Sequence, residues 1–209
     1  MTMNDDRRSG IDITPRAGCG DEGDKGGAKL LDRLMETRTV LISEPVSSDL
    51  SEKILPRLLL LEAEDPKAPV KVLINSPGGA VDDGFAIYDM MRYVSCPVTS
   101  VCIGLAASAA TIILLGGDKG RRVALPNTRI LLHQPSQSMR GVASDVEISG
   151  NEILRIRARI NELLAAECGK KVEEIQTDLN RDFWLSAQQA VEYGLLDKVI
   201  ETAAEADSL

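Results

Sequence analysis

A serine, Ser108, stands in the middle of the apolar stretch 98–115, which reads VTSVCIGLAASAATIILL. The β-branched first part of this stretch predicts a buried strand, and the small and aliphatic residues from Ala107 onward predict a helix. We place the turn between them at Gly104, where a sharp bend needs no Cβ. The first N–H groups of a helix have no intrahelical partners and can stabilise a developing oxyanion, which suits acyl transfer at Ser108. From this pattern alone, a helix cap or a small packing residue is the more economical interpretation.

The single histidine of the chain, His133, is the candidate general base. It follows a strand-like run, 128–132, that Pro135 closes, and a side chain at a strand end can leave the core and reach a neighbouring loop. A lone histidine is also often an ordinary core or surface residue. A third polar feature, the segment NSPGG at 75–79, follows the apolar strand 70–74. A Pro-Gly-Gly turn lets backbone N–H groups approach a ligand closely.

Four segments resemble, in order along the chain, the proteolytic subunit of the Clp protease (the ClpP family): INSPGG, GLAAS, LPNTRILLHQP and RDFWLSAQQAVEYGLLDKVI. The resemblance extends over residues 29–200. It implies a serine peptidase with the α/β ClpP/crotonase-like fold, built of repeated β-β-α units with a protruding handle helix. It also implies assembly into heptameric rings that stack, as a tetradecamer, around a chamber.

The resemblance assigns a role to each candidate. Ser108 is the nucleophile, His133 the general base and Asp182 the third triad member, while Gly79 and Ala109 supply the two oxyanion-hole N–H groups. From spacing alone the carboxylate could equally be Asp178, and it is the resemblance that selects Asp182. Its role would be to accept a hydrogen bond from the imidazole and to stabilise the imidazolium.

The sequence departs from the family beside the nucleophile and beyond the histidine. Leu105 stands where relatives usually have Gln, and Ala109–Ala110 where they have Met-Gly. Ala109 still offers a backbone N–H, so we expect the oxyanion hole to be retained, but the missing Met predicts a differently shaped primary specificity pocket. Ser136-Gln137-Ser138 replaces glycines in the strand that pairs with substrate in relatives, which predicts a different substrate preference.

Composition excludes several classes of function. The net charge of −8 and the 3% aromatic content argue against nucleic acid, which needs a basic surface and stacking side chains. No apolar run approaches the roughly 20 residues of a membrane helix, and the N-terminus has no signal-peptide pattern. Four scattered cysteines and one histidine predict neither a metal site nor a cofactor. We expect a reduced, cytoplasmic protein.

The chain divides into three parts. Residues 1–27 are rich in Gly and charge, so we predict a disordered tail or propeptide. Relatives carry an apolar and basic N-terminal segment that forms axial loops, and its absence here leaves docking to an AAA+ unfoldase in question. Residues 28–201 form the predicted peptidase domain, and 202–209 a flexible acidic tail.

Alternating strands and helices within the domain predict parallel pairing, which places ligand sites beyond the strand carboxyl ends. The helix 49–64 is expected to be capped by Ser48 and to bend or split at Pro56. A capping box, Ser186-x-x-Gln189, begins the last predicted helix, which ends at Gly194. The other predicted helices are 28–37, 81–94, 142–167 and 172–178, and the predicted strands are 39–42, 70–74, 98–103, 122–125, 128–132 and 195–200.

The leading hypothesis is a serine endopeptidase that hydrolyses peptides and unfolded proteins inside a ring-shaped chamber, fed by an ATP-dependent unfoldase. One alternative is a catalytically silent or regulatory ring subunit paired with a paralogue. Another is a crotonase-like acyl-CoA enzyme, which shares the fold and the oxyanion hole but needs no triad. All three triad positions are occupied, which favours the first hypothesis.

Overall fold

Seven strands form the sheet of the computed structural model, which describes residues 33–209. They run in the order β1-β2-β3-β4-β7, and β5 pairs with both β3 and β6. Every pairing is parallel except that of β5 with β6, so the parallel α/β sheet that the sequence predicts is confirmed. The strands are β1 (Thr39–Ile42), β2 (Val70–Ser76), β3 (Val98–Ala107), β4 (Arg122–Ala124), β5 (Arg129–Leu132), β6 (Phe183–Ser186) and β7 (Lys198–Val199).

Seven helices are bounded within the described residues, in addition to a helical turn at 33–36. The predicted N-terminal tail lies outside the described residues, and so does the first half of the predicted helix 28–37. None of the helices in residues 33–209 is long and apolar enough to cross a membrane. The helices are α1 (Ser48–Glu64), α2 (Val81–Tyr93), α3 (Ala109–Leu114), α4 (Ala143–Cys168), α5 (Val172–Asp178), α6 (Ala187–Tyr193) and α7 (Ala203–Asp207).

The main core lies where α1, α2 and α3 pack against the sheet. Its largest fully buried side chains are aliphatic and come from both helices and strands, among them Ile54, Leu58, Ile74, Ile113 and Ile130. Parallel strands are buried on both faces, which is why β2 and β3 read as nearly continuous apolar runs in the sequence. The short helix α3 is buried along its whole length, so the turn that begins it is held firmly.

Two expectations for α1 are wrong. The cap is Ser47, whose side chain accepts a hydrogen bond from the Leu50 N–H, and not Ser48. The helix also continues unbroken through Pro56. Ile54 and Leu58 are both fully buried on either side of the proline, and this packing outweighs the one backbone hydrogen bond that proline removes.

The strand-to-helix turn also lies elsewhere than predicted. β3 does not end at Gly104 but runs on to Ala107, and the turn falls at Ser108. β3 pairs with β4 through residues 100–102 and with β5 through 105–107, so Gly104 lies where the strand changes neighbours. Its φ is +76°, and a Cβ there would lie 2.9 Å from Asn75 Oδ1. The glycine therefore serves an irregularity within the strand.

At the C-terminus, the predicted strand 195–200 is confined to β7, and the tail predicted to be flexible contains the helix α7. A reciprocal capping box between Thr202 and Glu205 begins this helix. Ala206 is buried, and Asp207 forms an ion pair with Lys71. The acidic composition predicts a solvated tail, but Ala206 and the partly buried Leu209 pack against the domain.

The long helix α4 is anchored at one end only. All its buried residues lie between Ile160 and Ala165, while the part that precedes them is half-buried or exposed. Gly169 ends the helix in the left-handed conformation, which glycine adopts without a steric penalty. This is the protruding handle that the fold class predicts.

Candidate active site

Ser108 occupies a strained turn between β3 and α3. Its φ of +55° and ψ of −122° lie in a region that non-glycine residues rarely adopt and that costs about 1–3 kcal/mol. The turn is held from two sides, because the Ser108 N–H donates to the Leu131 carbonyl at 2.9 Å and α3 is fully buried. Such strain persists only where the surrounding structure imposes it, and it is typical of active sites.

Sheet register brings His133 to the same place. β3 and β5 are parallel neighbours in which Ala107 pairs with Leu131, so the residues that follow them emerge at one edge of the sheet. Ser108 and His133 line one cavity beside this edge. The sequence predicts that the functional segments gather beyond the strand carboxyl ends, and these two do so.

The antiparallel pairing of β6 with β5 places Asp182 near His133. Leu132 pairs with Phe183, and the next position outward on each strand is His133 and Asp182. The distance from His133 Nδ1 to Asp182 Oδ1 is 4.0 Å, which is longer than a hydrogen bond, and the Asp182 side chain is 67% exposed. Among residues 33–209, no hydrogen bond joins His133 to Ser108 or to Asp182 in this single chain.

The competing carboxylate, Asp178, has a different partner. Its Oδ2 accepts a hydrogen bond from the Tyr193 hydroxyl at 2.8 Å. Burial, and then the hydrogen bond to Asp178, raise the pKa of Tyr193 above its ordinary value. The ring of Tyr193 packs against Phe183, whose neighbour in the chain is Asp182. Asp178 therefore helps to hold β6, while Asp182 is the carboxylate near the imidazole.

Two backbone N–H groups are the candidates for an oxyanion site beside the serine. Ala109 is the first residue of α3, so its N–H has no intrahelical acceptor. Val46 forms a parallel bridge with Gly79, in which the Val46 N–H donates to the Gly78 carbonyl and the Val46 carbonyl accepts from the Ala80 N–H. The Gly79 N–H takes no part in this bridge and has no acceptor within residues 33–209. A Cβ on Gly78 would lie 2.3 Å from the Ala107 carbonyl oxygen and 2.8 Å from Ser108 Cβ. Only glycine lets this turn approach the serine so closely.

Two residues beside the site are not predicted from the sequence. The Thr111 hydroxyl donates to the Ser108 carbonyl oxygen at 2.5 Å. Gln134 ties the end of β5 to the segment before Asp182, since its N–H donates to the Leu179 carbonyl and its Nε2 to the Asn180 carbonyl, both at 3.0 Å. A threonine three residues after a turn serine is a sequence signal for the first contact. The second joins residues about 45 positions apart, for which a single sequence carries no signal.

The cavity beside Ser108 is mostly apolar. Its walls come from α3, from β5 and from the anchored end of α4, and they include Ile112, Leu132, Ile160 and Leu164. No cluster of three or more potential metal ligands occurs among the described residues. The arrangement thus brings together a serine hydroxyl, an imidazole, two backbone N–H groups without acceptors in residues 33–209 and an apolar recess.

Comparisons with known proteins identify relatives with the same fold. The family model described as Clp protease matches residues 22–203 of the chain. Among the solved structures that are similar is an Asn-to-Asp mutant of ClpP1 from Listeria monocytogenes. It is 40% identical, with a TM-score of 0.78, and the match covers 85% of this chain and 99% of that one.

Proposed function

This chain belongs to the Clp protease family, and we propose that it is a serine endopeptidase that hydrolyses peptides and unfolded proteins through an acyl-enzyme. The observation that carries the proposal is the strained turn at Ser108, which lies beside the unpaired Ala109 N–H and shares a cavity with His133. A strained serine at the start of a helix is the arrangement in which a nucleophile and an oxyanion site coincide.

The proposed chemistry follows from these positions. Ser108 Oγ attacks the scissile carbonyl while His133 accepts its proton, and the N–H groups of Gly79 and Ala109 stabilise the tetrahedral oxyanion. His133 then protonates the leaving amine as the peptide C–N bond breaks, which leaves an acyl-Ser108 ester. Water, deprotonated by His133, hydrolyses that ester and regenerates the serine. Asp182 orients the imidazole and stabilises its charged form.

The apolar recess beside Ser108 supports a substrate class. Aliphatic side chains from α3, β5 and α4 line it. An apolar residue on the acyl side of the scissile bond would pack its side chain against these aliphatic groups, whereas a charged one would lose its hydration without a partner. We therefore propose cleavage after apolar residues, which unfolded chains expose and folded proteins bury.

The exposed part of α4 supports self-association. Val142, which caps α4, is 64% exposed, and Ile148 and Leu154 within the helix are 67% and 58% exposed. Together they present more apolar surface than a monomer ordinarily leaves in water. We propose heptameric rings that stack into a tetradecamer in the cytoplasm, with α4 at the contact between rings. An AAA+ unfoldase and a paralogous ring subunit are the proposed partners, by resemblance to the family.

Labelling with a fluorophosphonate tests the proposal directly. We expect the purified, assembled protein to take the label at Ser108 alone, as located by peptide mass spectrometry. Ser108→Ala should lose both the label and the peptidase activity while keeping the assembled mass. Ser95→Ala, which alters an exposed serine after α2, should keep all three properties. An assembled protein that takes no label would instead indicate a silent ring subunit.

A further inference from the structure

The carbonyl oxygen of Ser108 accepts two hydrogen bonds, both from Thr111. The backbone N–H of Thr111 donates to it at 2.9 Å and the Thr111 hydroxyl at 2.5 Å. The Thr111 side chain is 3% exposed, so water does not compete for this hydroxyl. A short hydrogen bond in a dry setting holds its acceptor strongly in one direction.

That carbonyl belongs to the same peptide group as the Ala109 N–H. The peptide bond is planar and trans, so its C=O and N–H point in opposite directions, and whatever orients one orients the other. Ser108 is the strained N-cap of α3, and the backbone N–H and hydroxyl of Thr111 are the groups within residues 33–209 that hold its carbonyl. A hydrogen bond that polarises the C=O also makes the N–H a better donor.

We propose that Thr111 is a positioning residue for the oxyanion site: its hydroxyl, through the Ser108 carbonyl, aims and strengthens the Ala109 N–H. This inference rests on the proposed peptidase function and deepens it. Thr111 lies on the far side of the peptide from the oxyanion and acts on the transition state through the Ser108–Ala109 peptide group.

The chain offers a matched control. Thr128 is 2% exposed, and its hydroxyl also donates to a backbone carbonyl, that of Cys102, at 2.9 Å. Thr128→Val and Thr111→Val thus each delete one buried threonine-to-carbonyl hydrogen bond while nearly conserving volume. Only the second acts on the peptide that carries the oxyanion N–H. A merely structural role for Thr111 predicts that the two variants behave alike.

The experiment compares the full-length wild type with Thr111→Val, Thr111→Ser and Thr128→Val, using a fluorogenic peptide with an apolar acyl-side residue. Removing one oxyanion donor costs about 10² to 10³ in kcat, so misaiming one should lower kcat of Thr111→Val by about tenfold. KM should stay within about twofold, because the interaction acts in the transition state and not in substrate binding. Labelling of Ser108 by the fluorophosphonate should slow in parallel, because the phosphoryl oxygen occupies the same site. Thr111→Ser should restore kcat, and Thr128→Val should keep it.

Three results would overturn the inference while the proposed function stands: equal kcat for Thr111→Val and wild type, no rescue by Thr111→Ser, or a raised KM with kcat unchanged. A wild type that neither cleaves the peptide nor labels at Ser108 overturns the proposed function, and the inference with it. Should Thr111→Val fail to assemble, Thr111→Ser and Thr111→Ala provide the same comparison, since they differ in the hydroxyl alone. Equal kcat for that pair would also refute the inference.

Discussion

Asp182 lies opposite His133 at the outer end of the β5–β6 ladder, one position beyond the Leu132–Phe183 pair, with 4.0 Å between Oδ1 and Nδ1. The pairing places the carboxylate on the Nδ1 side of the imidazole. A hydrogen bond requires the two atoms to approach by about 1 Å. Both side chains are partly exposed, 30% for His133 and 67% for Asp182.

Asp182→Asn should lower kcat by about 10⁴, less than the roughly 10⁶ expected for Ser108→Ala or His133→Ala, because oxyanion binding and part of the imidazole function survive. Steady-state peptide hydrolysis measures this. Asp178→Asn is the matched control: it alters the carboxylate bonded to Tyr193 and should leave kcat within about tenfold of wild type. The opposite order, with Asp178→Asn the more damaging, would exchange the two roles.

The pH profile of hydrolysis should show a single acidic limb. His133 must be neutral to accept the Ser108 proton, so kcat/KM should fall in acidic solution, where the imidazole is protonated and cannot act as a base. His133 is the only histidine in the chain, so no other imidazole can produce this limb. The assembled mass is to be recorded at each pH by light scattering. A flat profile for a constant mass would remove His133 from the mechanism.

Assembly should depend on the exposed part of α4. Ile148→Glu and Leu154→Glu place a charge where the proposed contact between rings would bury it, so each should shift the mass toward single rings or smaller species. Glu147→Gln, an exposed and already polar position on the same helix, should leave the mass unchanged. Light scattering at micromolar concentration reads the result. A wild type that stays monomeric would refute the proposed rings.

Thermal stability should depend on one buried ion pair. Arg122 is 3% exposed and donates to Glu167 Oε2 at 2.7 Å, which ties β4 to the end of α4. Arg122→Met should destabilise the protein by about 3 kcal/mol, because it leaves the Glu167 carboxylate nearly buried with only Lys119, at 3.7 Å, as a partner. The double variant Arg122→Met/Glu167→Gln should recover part of that loss. Melting temperatures at one fixed protein concentration test this.

Folded protein should resist thiol alkylation. Burial raises the pKa of the Cys102 thiol to about 12 and that of Cys168 to about 11, and it also raises the pKa of Cys96. A raised pKa keeps the thiol protonated at pH 8, and the thiolate is the reactive form. In a Cys19→Ser background, iodoacetamide at pH 8 should modify these three cysteines only after denaturation, as intact mass will show. Fast labelling of native Cys102 would contradict its burial.

Features stabilised within one segment were predictable from the sequence. The capping box of Ser186 and Gln189 and the helix end at Gly194 are present as expected, since each depends on residues at most five positions apart. The strands β1, β2 and β5 were recognised from their apolar β-branched residues. The family motifs added the candidate site residues. For the carboxylate, the local pattern alone left the choice between Asp178 and Asp182 open.

Features that depend on distant partners were not predictable in this way. The sequence predicts the turn at Gly104, but it lies at Ser108 because residues 105–107 pair with β5. The strand β6 likewise exists because it pairs with β5 from the other side. The same holds for α7, which packs Ala206 on the domain, and for the passage of α1 through Pro56. Helix and strand propensities differ by about 1 kcal/mol or less for most residues, whereas burying one aliphatic side chain contributes about 1.5–3 kcal/mol. Packing therefore places the boundaries, and through them the serine, the histidine and the carboxylate.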